Sequence, residues 1–261
     1  MASIKLTSIC LLLVVGCAEP TPQQTHFPHE APDPSAATAQ EYIDGWGKMG
    51  MWLPDAAQVA FFRDHFETSR DEIQDALSHA DKSVRMRAAY VLSEIGSAAN
   101  PAGDDLLARL SVEPDVTVRM YLINALNMIG HDSNATVAFL AKRYELLDSQ
   151  NVPLDHNGDY PPVDEKITIA AALFTMVDEA EQSQYYEFVT DWLDPPNKAV
   201  TGGLLGGYWE RRWMAVNSLA RMPAATDAIP KLESLLAEPN AKPWVNVHVP
   251  RVLAALRKNV R

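Results

Sequence analysis

The sequence predicts an all-α protein, a stacked array of helical hairpins, on three observations. First, the stretch from Asp81 to Gly96 is answered by the stretch from Asp115 to Gly130. Asp81 falls on Asp115, Val84 on Val118, Arg85 on Arg119, Leu92 on Leu126, Ile95 on Ile129 and Gly96 on Gly130, each at an offset of 34. A fixed period of this size marks units that stack. Second, Val84, Ala88, Val91, Leu92 and Ile95 form one helical stripe, and Val118, Leu122, Ala125, Leu126 and Ile129 repeat it. Third, Asp81 and Asp115 stand where helix N-caps are needed, and Gly96 and Gly130 suit the left-handed residue after a helix.

The pattern Asp-x-x-Val-Arg, an apolar run and Ile-Gly resembles the HEAT-repeat family in its short, PBS-lyase-type form. The resemblance covers roughly residues 56 to 258. It implies a right-handed α-α superhelix, a HEAT/armadillo-like solenoid whose surfaces meet other macromolecules. It also implies that Arg85 and Arg119 pair with neighbouring acids and stack between units. Fold of this kind says little about function, because one scaffold hosts many jobs.

Residues 1–16 carry Lys5 and then an apolar run from Ile9 to Val15, the layout of a signal peptide, too short for a permanent span. Val14-Val15-Gly16-Cys17 resembles a bacterial lipobox, which implies that Cys17 is lipidated and becomes the mature N-terminus. Ala18 after it favours the outer membrane, facing the periplasm. Residues 17–40 contain five prolines and few large apolar side chains, and read as a flexible tether.

The array follows over 41–261. Tyr42, Trp46, Met49, Met51, Trp52 and Leu53 read as a cap over the first unit. Pro54-Asp55 starts a helix with Val59, Phe62 and Phe66, and Glu72 to His79 makes its partner. Leu106 and Leu140 mark the second helices of the doublet. The third unit starts at Lys166 to Val177, with Ala170, Phe174 and Val177 at an offset of 48; Phe188 and Trp192 extend the second-helix pattern. The fourth, Arg211 to Met222, keeps Arg212, Ala215, Leu219 and Met222 at 45, and Ile229, Leu232, Leu235 and Leu236 form its partner. A last helix near Pro250 to Lys258 closes an array of four to six hairpins. The lengthened periods place insertions near 150–165 and 194–208, where specificity loops are expected.

The net charge of −12, from 34 acidic and 22 basic residues, argues against nucleic acid or an anionic membrane surface as a general partner. Both cysteines, Cys10 and Cys17, lie near the start, so the body has no thiol for a disulfide, a thiolate metal site or a nucleophile. Neither a Gly-x-Ser-x-Gly elbow nor a His-Glu-x-x-His pair occurs. The HEAT-like hydroxylases bind iron through repeated His-Glu pairs, but His29-Glu30 in the tether is the one such pair. No catalytic residue and no cofactor is therefore expected. His65, His79, His131 and His248 share no spacing and read as surface or capping residues.

Two stretches carry candidate sites. Asp155, Asn157 and Asp159 alternate like the start of a calcium loop, but glycine stands fourth and Lys166 twelfth; neighbouring Asp164 and Glu165 could still complete a non-standard site. Trp209, Arg212 and Trp213 follow a glycine-rich stretch and combine the residue types that binding hot spots favour. At i, i+4 the two tryptophans equally suit a core. The function expected is a membrane-anchored, non-enzymatic protein-binding or scaffolding module of the bacterial cell envelope, with a protein or polymer partner. A calcium-dependent glycan or peptide binder, or an envelope enzyme, using the 151–165 loop is the alternative.

Overall fold

The punctuation read from the doublet builds its helices. In the computed structural model, which describes residues 38–50, 53–149, 161–194, 205–238 and 241–259, Asp81 Oδ1 accepts the Ser83 amide at 2.8 Å and Asp115 Oδ1 the Val118 amide at 3.1 Å. Each carboxylate thereby satisfies a donor that a helix start leaves open. Gly96 and Gly130 have φ of 72° and 73°. A Cβ is disfavoured there, which is why the sequence holds glycine at both ends.

Every described element is helical: α1 (Ala39–Trp46), α2 (Ala56–Asp64), α3 (Phe66–Leu77), α4 (Lys82–Ile95), α5 (Gly103–Val112), α6 (Val116–Met128), α7 (Asn134–Ser149), α8 (Pro161–Met176), α9 (Glu179–Asp191), α10 (Leu205–Leu219), α11 (Ile229–Leu236) and α12 (Pro243–Arg257). No strand occurs among the described residues. None of these helices is long and apolar enough to cross a membrane. The even-numbered helices from α2 to α12 pack as consecutive neighbours in one layer, most extensively where α4 meets α6 and α6 meets α8. The odd-numbered helices lie behind them and meet each other sparsely.

The predicted stripes are the core. Val84, Ala88, Val91, Leu92 and Ile95 are buried, as are Val118, Leu122, Ala125, Leu126 and Ile129. Ala88 and Ala125, fully enclosed, remove bulk where the two most extensively packed helices touch. The predicted cap is helical: α1 starts at Ala39, inside the stretch read as tether, behind a capping box of Thr38 and Glu41. Its Tyr42 and Trp46 pack on Phe62, with ring centroids at 6.0 and 5.3 Å. The buried Arg87 fastens the cap by donating to the Gly50 carbonyl.

Four boundaries differ from the sequence reading. Phe66 opens α3 rather than ending α2, because His65, with φ −116° and ψ 20°, leaves helical geometry between them; its ring stacks on Phe61 at 4.6 Å. Helix α8 begins at Pro161 and α10 at Leu205, so each extends into a segment read as inserted loop. Helix α12 begins at Pro243, and Pro250 lies inside it. Proline suits the first turn, where amides are unpaired anyway. Pro250 faces solvent, so the carbonyl it leaves unpaired can meet water.

Candidate functional site

Two arrangements stand out, one buried and one exposed. The buried one is a set of arginine forks. Arg85 donates through Nε and Nη2 to Glu113 at 2.8 Å each, while its Nη1 reaches the carbonyls of His79 and Ala80 at 2.9 Å. Arg119 repeats this on Glu165, at 2.9 and 2.8 Å, with Nη1 on the carbonyls of Glu113 and Pro114. Each glutamate takes a second fork, Glu113 from Arg109 and Glu165 from Arg143. The expected pairing of Arg85 and Arg119 with acids of neighbouring units is thus present in the geometry.

Burial alone would raise the Glu113 carboxyl. The hydrogen bonds from Arg85, the Asp115 amide and Arg109 outweigh it and hold the group at about 2. Glu165 is likewise held low: burial opposes ionisation, and Arg119 and Arg143 overcome it. A cavity of about 70 Å³ lies between the two sets, lined by Glu113, Arg119, Ile123, Phe139, Arg143 and Glu165. That is room for water; organic ligands take pockets of roughly 300–1,000 Å³.

The exposed arrangement joins α10 to α12. The Trp213 ring, 41% exposed, meets the His248 ring edge-on at 5.8 Å, and Trp244 meets the same imidazole at 6.5 Å. His248 Nδ1 lies 3.2 Å from Asn217 Oδ1, and Asn217 Nδ2 donates to the Trp213 carbonyl at 2.8 Å. Val247, 45% exposed, lies beside His248 in the chain. Burial and then the charge of Arg251 lower the His248 pKa from its ordinary value of 6.5. The imidazole, the amide and the two indoles thus support one another.

Of the sequence-derived site residues, Trp213 is at the surface and Arg212 is not. Arg212 is 1% exposed; it donates to the Leu193 carbonyl at 3.0 Å and forks onto Glu238. That is a correction to its reading as a contact residue. Arg212 stands 45 residues beyond Ile167, itself 48 beyond Arg119, so it occupies the repeat position of Arg85 and Arg119 and does their work. Cys17, Asp155, Asn157, Asp159 and the Trp209 side chain lie outside the described residues. Of the carboxylates needed to complete a calcium loop, Glu165 has both oxygens engaged by arginine, and Asp164 lies 3.5 Å from Arg211. Glu165 is thereby committed elsewhere. Lys166 is buried against aromatic rings, its Nζ 4.1 Å from the Tyr144 centroid and 4.5 Å from that of Phe188.

His131 and Ser133 approach Asp104, yet this is no proton relay. Asp104 Oδ1 and Ser133 Oγ both face Nε2 of His131, at 3.4 and 3.3 Å, whereas a relay needs them on opposite ring nitrogens. Among the described residues no group of three or more His, Cys, Asp or Glu could hold a metal ion. Trp244 and His248 share no motif with Trp213 and lie 31 and 35 residues further on, so only the fold brings them together. Comparison with protein-family models, with curated proteins and with solved structures returns no match.

Proposed function

We propose that this chain is a HEAT-like right-handed α-α superhelix, anchored through lipidated Cys17, that acts as a non-enzymatic protein-binding or scaffolding module of the bacterial cell envelope. The observation that carries the reading is the recurrence of one inter-unit device. Arg85, Arg119 and Arg212 stand at equivalent positions of three units, with Ile167 in the unit between the last two; each grips backbone carbonyl oxygen earlier in the chain, on His79 and Ala80, on Glu113 and Pro114, and on Leu193, and a glutamate of a later element. An array held in register this way offers a long, stiff surface, suited to binding rather than to enclosing a small substrate. The lipobox resemblance and the proline-rich stretch after it supply the anchor and the tether. The outer membrane, on its periplasmic side, is the favoured location.

The test is crosslinking and co-purification of tagged full-length protein from its native envelope, beside a Cys17→Ser version. A partner enriched with the wild type and lost with Cys17→Ser supports an anchored module. Equal partition of both forms into the soluble fraction sinks the anchor, and an absence of any specific partner sinks the binding role.

A further inference from the structure

We infer that the aromatic and basic face shared by α10 and α12 is the docking surface for an extended acidic peptide segment of a partner protein; this rests on the protein-binding reading above. The argument begins with charge. Five of the 22 basic residues and none of the 34 acidic ones lie beyond Glu238. The net value of −12 therefore conceals a basic C-terminal stretch; Arg257 of it is paired with Glu233 of α11, while Arg251 and Lys258 lie on the face itself, and an acidic segment is drawn to that end and repelled elsewhere.

Geometry turns the charge into a surface. Trp244, Val247, His248, Arg251 and Lys258 recur at helical spacing along one side of α12 and the residue after it, and Trp213 and Asn217 of α10 meet His248 among them. From Trp244 to Lys258 the rise is about 21 Å, the span of about six extended peptide residues. The upper part offers aromatic and aliphatic contact, the lower part cations. Because His248, Asn217 and the two indoles already hold one another, little side-chain freedom is lost on binding. A lipid surface fits less well. The indoles are turned edge-on to the imidazole, and Trp213 and Val247 are the large apolar side chains of this face that stand well exposed, too little for insertion.

The test is to pan a library of random ten-residue peptides against the full-length chain. The selected pool is expected to be rich in Asp and Glu with an aliphatic or aromatic residue. Binding should fall at least tenfold in an Arg251→Glu, Lys258→Glu variant, and separately in Trp213→Ala, which alters an exposed residue. A pool without acidic enrichment, or equal binding by the variants, overturns the proposal. So does co-sedimentation with phosphatidylglycerol–phosphatidylethanolamine vesicles that the same substitutions abolish, which would give the face to lipid. If the charge-reversed chain still co-purifies its envelope partner, this surface fails while the binding module stands; if the wild type captures none, the module itself fails.

Discussion

The two doubly forked glutamates do the same job from different places in the chain. Glu113 sits in the short connection before α6, four residues after Arg109. Glu165 sits inside α8, 22 residues after Arg143 and beyond the inserted segment. The residue 34 positions after Glu113 is Leu147, so the repeat itself does not supply the second acid. Where the insertion displaced the equivalent position, a carboxylate from the next helix fills the same space. A buried arginine fork tolerates no vacancy, but it accepts any acid that reaches it.

This comparison can be broken most directly by removing each acid in turn. Glu113→Ala strands Arg85 and Arg109, whose side chains are 8% and 18% exposed, and is expected to cost about 3–5 kcal/mol. Glu165→Ala strands Arg119 and Arg143, at 16% and 31%, and should fall at the low end of that about 3–5 kcal/mol range because water reaches the arginines more readily. Chemical denaturation of both variants checks the order. A larger loss for Glu165 would mean that exposure does not set the cost. Replacing Arg85 with Met and Glu113 with Leu together should recover only part of the first loss, since the apolar pair needs no counter-charge but Arg109 still lacks its acid.

Acid sharpens the comparison further. The folded Glu113 carboxyl ionises at about 2 against an ordinary 4.5, so its contribution is fully present above pH 4.5 and is lost as the pH falls towards 2. Stability of the wild type should decline through that window more steeply than that of Glu113→Gln, as read from denaturation midpoints at a series of pH values. His248 adds a weaker trend of its own. Its lowered pKa means that acidification below about 6.5 favours the unfolded chain, and Trp213 fluorescence should report the loosening. The smallest effect is expected at Lys82, whose bond to Asp115 at 2.9 Å is exposed: Lys82→Ala should leave the denaturation midpoint almost unchanged.

Much of this was legible in the residues and some was not. The caps Asp81 and Asp115, the glycines at 96 and 130, and the apolar stripes followed from local chemistry that acts within one helix. The aromatic cap was legible because Tyr42 and Trp46 had nowhere to go but onto the first unit. The first hairpin hid its period: Arg63 donates to the Glu94 carbonyl and Arg70 to the Pro101 carbonyl, both 31 residues on, with no shared motif to announce it. Arg212 looked like a contact residue because it is flanked by tryptophan, yet its repeat position already assigned it to the interior. Glu165 was read as a spare carboxylate for a cation, since nothing local says that two arginines from α6 and α7 converge on it. The Trp213 cluster was half visible; its α12 members arrive through tertiary packing alone.

The unequal packing of the two layers has a mechanical side. The even-numbered helices form an unbroken series of contacts, closest from α4 to α8, while the odd-numbered ones behind them meet sparsely. A bar built this way has its stiff axis in the first layer. When bent, it changes length mainly at the back, where few contacts must break, while the front keeps its spacing. The arginine forks, riveting one unit to the next, set how far that back can spread before an ion pair has to open.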